Sequence, residues 1–115
     1  MERLALLLVS RGRSLSVALN VLEEARRVAP YDPAVNDAYG WVLVHRERVT
    51  AGLPYLLAAT GQEPRNATYH YRLGVAYERA GRFREARASL TRALGLARAF
   101  TDRARAEAEL ARLPR

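Results

Sequence analysis

"DAYGWVLVHRERVTAGLPYLLAATGQEP", Asp37 to Pro64, is followed almost at once by "YRLGVAYERAGRFREARASLTRALGLAR", Tyr71 to Arg98. Aligned on Gly40 and Gly74, the two stretches keep residue class at a constant interval of 34 positions. Tyr39 pairs with Leu73, Leu43 with Tyr77, Val49 with Phe83, Gly52 with Ala86, Leu56 with Leu90 and Ala59 with Ala93. One more step back lands on Leu15, Ala18, Leu22 and Ala25, and Pro30 precedes Pro64 by the same interval. A fixed period of this length marks a repeat architecture.

Within each unit the apolar residues recur at helical spacing, as Tyr39, Val42 and Leu43 in one arm and Leu53, Leu56 and Leu57 in the next. Each unit therefore reads as two short amphipathic helices. Asp32 before Pro33, and Asn66 one unit later, stand where N-caps are expected. Gly81 marks the turn between the arms of the third unit, and Pro54 is placed near the start of an arm, where its missing N–H costs least. Gly40 and Gly74 are expected to face small residues of the partner arm, with Ala25, Ala59 and Ala93 doing the same from the second arm. Leu22, Leu56 and Leu90 are expected to fill the space between successive hairpins. No such hairpin buries its apolar face alone, so the units must stack.

The expected architecture is all-α: stacked antiparallel hairpins in a single domain. Its parts are a shortened first unit over 1–32, a second over 33–66, a third over 67–98 and a capping helix over 99–113. The tail carries an apolar stripe at Ala106, Leu110 and Leu113 and a prospective Arg105–Glu109 pair, while Glu107 falls at a core position of the continued register.

Composition narrows the function classes. Half of the 115 residues are hydrophobic and 27% are charged, which favours a packed fold over disorder. The absence of cysteine excludes disulfides, thiol catalysis and thiolate metal sites. "LALLLV", Leu4 to Val9, is too short to cross a bilayer and has no cleavage site behind it. A cytoplasmic location is favoured for the chain as given, which is equally compatible with a piece of a longer or exported protein. All 19 basic residues are Arg, a skew that GC-rich coding produces unaided, so the net charge of +7 is discounted as a nucleic-acid signal. Neither His45 nor His70 belongs to a catalytic or metal-ligand spacing, and no phosphate-cradling loop is present. No enzymatic activity, metal or cofactor is expected. His70 falls at a large-residue core site of the repeat, and Glu23-Glu24 beside Arg26-Arg27 reads as an exposed charged surface.

The run Leu73-Gly74, Tyr77, Gly81, Phe83, Ala86, Leu90 and Ala93 resembles the tetratricopeptide repeat signature at nearly every diagnostic position. The second unit is similar but looser, with Glu47 where the turn Gly is usual; the first supplies only the second-arm half. "YGWVLVHRERVTAGLPYLL" is similar to repeats in bacterial proteins associated with exopolysaccharide export and protein-sorting loci (PEP-CTERM). The resemblance implies a right-handed superhelix whose concave face binds an extended peptide or helix of a partner protein. Carried over position by position, that face comprises Arg3, Leu7 and Arg11, then Asp37, Trp41 and His45, then Tyr71, Val75 and Arg79, with Arg105 and Glu109 closing one end. Trp41 is the leading candidate: either a flat anchor rimmed by polar groups or a ring packed between hairpins. A subgroup of the family clamps a C-terminal carboxylate with Lys, Arg and Asn; here the Asn sites hold Leu7 and Ala38 and only Arg72 matches, which argues against that mode.

Two further readings stay open. Net charge runs +1, 0, +5 and +1 over residues 1–32, 33–66, 67–100 and 101–115, so the excess sits in the third unit, where Arg84, Arg87 and Arg98 are expected to point outward. That surface is a solvated face by default, or a docking patch for an acidic partner, a membrane surface or nucleic acid. The short first unit also makes a homodimer through the N-terminal end conceivable.

Overall fold

The computed structural model describes residues 14–114. Among these residues there are six helices and no strand: α1 (Leu15–Val28), α2 (Pro33–His45), α3 (Val49–Gln62), α4 (Ala67–Arg79), α5 (Phe83–Leu96) and α6 (Arg103–Arg112). α2 packs chiefly on α3 and α4 on α5; short connections between arms force each pair into an antiparallel hairpin. α1 joins the first hairpin through α2, α3 joins α4, and α6 packs on α5.

Each boundary has a local chemical cause. Asp32 Oδ1 accepts from the backbone N–H of Ala34 at 2.9 Å and Val35 at 3.3 Å, and Asn66 Oδ1 accepts from Tyr69 at 3.0 Å. These caps satisfy donors that the first helical turn leaves without partners. At the other end, the N–H of Arg48 donates to Leu43 O and that of Arg82 to Tyr77 O, both at 2.9 Å. This is the six-residue closure that needs one left-handed residue. Gly81 supplies it with φ 77°, and Glu47 supplies it with φ 63°, at the steric cost that a side chain carries there. The proline turns are tied down alike: Asn36 Nδ2 donates to Pro30 O at 3.1 Å, and His70 Nε2 to Pro64 O at 2.9 Å. His70, expected in the core, is instead half-buried and spent on that turn.

The core runs through both hairpins and under α6. Leu56, Leu90, Ala59, Ala86, Ala93 and Ala106 are fully buried. Leu56 and Leu90 lie in a core cluster that spans both hairpins, and each also meets a first-arm glycine, so Gly40 and Gly74 do not face only small residues. A Cβ on Gly40 would lie 2.9 Å from Leu56 Cγ and 2.9 Å from Gly52 O, and one on Gly74 would lie 2.7 Å from Leu90 Cγ. Each first-arm glycine is thus the seat for a leucine of its own hairpin. Leu22 does join units, packing with Ala18, Leu19, Val42 and Leu43.

Pro54 also departs from expectation. It is the sixth residue of α3, beyond the first closing bond from Gly52 N to Arg48 O, so it removes an interior N–H and not an orphan one. α6 caps the stack as expected, with Ala106 and Leu113 buried and Leu110 packed on the same cluster. Glu107, expected at a core position of the continued register, is exposed, as are Ala108 and Ala111. The Arg105–Glu109 pair does not form; Arg105 is 3.6 Å from Asp102, and Glu109 pairs with Arg112.

Candidate functional site

Asp37, Trp41 and His45 stand one turn apart on α2, so they share a face. α4 brings Tyr71 and Arg72 against that face. Arg72 pairs with Asp37 across the two first arms, with only 17% and 5% of the respective side chains exposed. Its guanidinium also lies 5.3 Å from the centre of the Trp41 ring, a cation–π arrangement. His45 meets the same ring edge-on at 4.5 Å, and Tyr71 is tilted against it at 6.2 Å. Trp41 is therefore half-buried, with one part of its surface held by Arg72, Tyr71 and His45 and the remainder accessible. The expectation of a ring packed between hairpins holds in part, since Arg72 and Tyr71 of the next hairpin lie against it.

His45 Nδ1 lies 2.9 Å from Trp41 O. A carbonyl only accepts, so Nδ1 carries the proton and Nε2 is the acceptor of the neutral ring. Burial, then the nearby Arg79 and Arg72 charges, hold the imidazole below its ordinary pKa, against the opposing effect of the Trp41 carbonyl. The ring is thus biased toward neutrality.

The other predicted positions divide. Tyr71 and Val75 are buried, and Asp37 is closed off by Arg72, so none of the three is presented to a ligand. Arg79 and Arg105 are exposed. Arg3, Leu7 and Arg11 lie outside the described residues. The surface that remains open is Trp41 and His45, with Arg79 and Arg105 exposed beyond them. Burial raises the Tyr71 phenol pKa, and Asp102, Arg105 and Glu109 of the α6 segment also act on it, which places that segment beside the site.

Sequence reasoning missed several structural roles for arginine. Arg72 is spent within the fold. Arg26 is not part of an exposed charged strip: its guanidinium lies 4.9 Å from the Tyr39 ring and 4.5 Å from the Tyr55 ring. Arg87, expected to point outward, donates to Leu113 O at 3.4 Å and Pro114 O at 2.9 Å. Arg103 donates to Leu94 O at 3.3 Å and Ala97 O at 2.7 Å, closing the end of α5. The periodicity of the apolar residues carries no signal for these long-reach contacts. Among the described residues, no cluster of three or more His, Cys, Asp or Glu side chains could hold a metal ion, and no helix is long and apolar enough to cross a membrane.

Residues 67–100 match the family model described as Tetratricopeptide repeat. Among solved structures, MamA MSR-1 is 31% identical, with a TM-score of 0.65 over 72% of this chain and 48% of that one. TTC0263, a thermophilic TPR protein in Thermus thermophilus, is 29% identical with a TM-score of 0.74, covering 89% of this chain and 53% of that one. The first TPR of Spaghetti (RPAP3), bound to HSP90 peptide SRMEEVD, has a TM-score of 0.76 over 93% of this chain and 87% of its own at 18% identity, a likeness of fold. The chain spans about half the length of MamA MSR-1 and of TTC0263. No curated protein matches it in sequence.

Proposed function

We propose that this chain, whose residues 67–100 match the tetratricopeptide repeat model and whose fold is shared by TTC0263, is a non-enzymatic scaffold that binds a peptide or helix of a partner protein on the Trp41 face. The observation that carries this reading is the partly exposed Trp41 ring, held between Arg72, Tyr71 and His45. A rigid aromatic anchor with a polar rim costs little ordering entropy on binding and is the commonest kind of interface hot spot. That the similar repeat of RPAP3 holds a peptide supports the choice of ligand class. Arg79 and Arg105, both exposed, favour an acidic segment on the same surface.

The test selects peptides from a displayed library on the wild-type protein and remeasures them on Trp41→Ala. Loss of a hot-spot ring should weaken binding by about 30-fold or more, while the variant still melts cooperatively. Unchanged affinity in a folded variant sinks the reading. Trp41 is the single tryptophan, so its fluorescence reports occupancy directly.

A second reading rests on Arg84, Arg92 and Arg98, which are exposed and form no ion pair among the described residues. They suit an acidic surface or single-stranded nucleic acid. Affinity for single-stranded RNA that falls steeply with salt would favour it over the scaffold reading. Val17 and Val21, each a little over half exposed on α1 (54% and 53%), suit self-association, which sedimentation across concentrations tests.

A further inference from the structure

An open groove of about 330 Å³ lies along the seam of α4 and α5, lined by His70, Leu73 and Tyr77 on one side and Ala88, Ser89 and Arg92 on the other. Its volume is at the lower end of the roughly 300–1,000 Å³ of ligand pockets. Neither Trp41 nor any of the exposed residues around it lines this groove, so a ligand here would bind independently of one on the Trp41 face.

The preceding hairpin shows what such a seam holds. Thirty-four residues before Ser89 stands Tyr55, and its ring lies edge-on at 4.6 Å from Tyr39, the counterpart of Leu73. Arg26 covers that pair, with its guanidinium 4.5 Å from the Tyr55 centroid. In the third unit the ring of Tyr55 is reduced to the hydroxymethyl of Ser89. The counterpart of Arg26 is Thr60, whose hydroxyl donates to Leu57 O at 2.9 Å. Ring and cation are both missing from these two positions, and Arg82 instead lies 4.9 Å from the centre of the Tyr77 ring; the space that Tyr55 fills in one hairpin is open in the next.

The charges beside the opening determine what would enter it. Glu85, which also lines the groove, is neutralised by Arg82 at 2.6 Å. Arg92 has no ion pair among the described residues, and Arg84 on the same helix is exposed. The rim is therefore positive over an apolar floor.

We propose that this groove receives an aromatic side chain from an acidic segment of a partner protein, the ring resting on Leu73 and Tyr77 and a carboxylate meeting Arg92. The ring takes the place that Tyr55 occupies one repeat earlier, which gives the site a specificity the Trp41 face does not share.

The probes are acetyl-Asp-Tyr-Asp-amide and acetyl-Lys-Tyr-Lys-amide, titrated into the full chain and followed by amide NMR. The acidic peptide should shift Leu73, Tyr77, Ala88 and Ser89, and the basic one should bind more weakly. Arg92→Glu, at an exposed position, should weaken the acidic peptide by about fivefold. Ser89→Tyr should fill the groove from within, abolish the shifts and raise the melting temperature; if that variant does not fold, Arg92→Glu alone decides. Trp41→Ala should leave this binding unchanged. The proposal is overturned by shifts confined to the Trp41 face, by no response at the groove, by an equal response to both peptides, or by binding that survives in Ser89→Tyr.

Discussion

The hairpins α2/α3 and α4/α5 are built on one plan and solve it differently. In α2/α3 the arms approach backbone to backbone: a Cβ on Gly52 would lie 2.7 Å from Gly40 O, and one on Gly40 would lie 2.9 Å from Gly52 O. In α4/α5 the approach is relaxed by one methyl, because Ala86 stands in for Gly52 and Gly74 is filled chiefly by the flexible side chain of Leu90. The α2/α3 turn is made by Glu47 in the left-handed region and its seam is filled by Tyr55, whereas α4/α5 uses Gly81 and leaves its seam open at Ser89. The hairpin that keeps closely to the family signature is also the one with unfilled surface. Departure from the signature in the other is compensated by aromatic and glycine packing.

The largest effect should come from the joint between the two. Arg72→Ala breaks the buried Arg72–Asp37 pair between the hairpins and strips the Trp41 ring of its cation–π contact. Chemical denaturation should report a loss of about 3–5 kcal/mol. If the loss is under about 1 kcal/mol, the size of an exposed pair, the ion pair does not couple the hairpins.

Next, Gly52→Ala should destabilise by about 1–3 kcal/mol, since its Cβ meets a carbonyl that moves only with the helix. Gly74→Ala should cost less, because Leu90 can adjust its rotamer. Equal losses in the two denaturation curves would erase the distinction between backbone and side-chain packing.

Glu47→Gly should raise stability by about 1 kcal/mol, by relieving the side chain held at positive φ. The same reasoning makes Gly81→Glu a loss of similar size. A melting temperature unchanged in both variants would mean that the turn conformation carries no strain.

The smallest effect is pH-dependent. The Glu78 carboxyl is pushed up to about 7 by burial first, then by a hydrogen bond with Glu109 and that group's charge, with Arg112 and Arg79 opposing. A carboxyl raised on folding stabilises while protonated: its contribution is complete below its ordinary value of 4.5 and is lost as pH rises through about 7. His45, held low, acts with the opposite sign near and below 6.5, so the informative quantity is the difference between wild type and Glu78→Gln. That difference in melting temperature should move in favour of the Gln variant as pH rises from about 5 to about 8, and a flat difference would rule out the coupling of α4 to α6 through this pair.

The repeat made most of the fold legible before any coordinate. Asp32, Asn66 and Gly81 act where their residue types require them to act, and Ala106, Leu110 and Leu113 pack as their spacing indicates. The site was legible only as a set of positions on one face. The family resemblance implies that Asp37, Tyr71 and Val75 share a face with Trp41, but it cannot tell that Arg72 reaches across to Asp37 or that Tyr71 and Val75 sink into the core. Arg26, Arg87 and Arg103 escaped for the same reason, since each long flexible side chain finds its partner outside its own helix and no apolar pattern encodes the distance.

What the chain's own order of residues determined was the period, the helices and their caps, because these depend on interactions within a few positions of one another. What only the packed molecule decided was which of the polar groups on a shared face are consumed in holding the hairpins together and which stay available. That division depends on reach and burial across units, where a charge closed away from water must find a partner or be excluded.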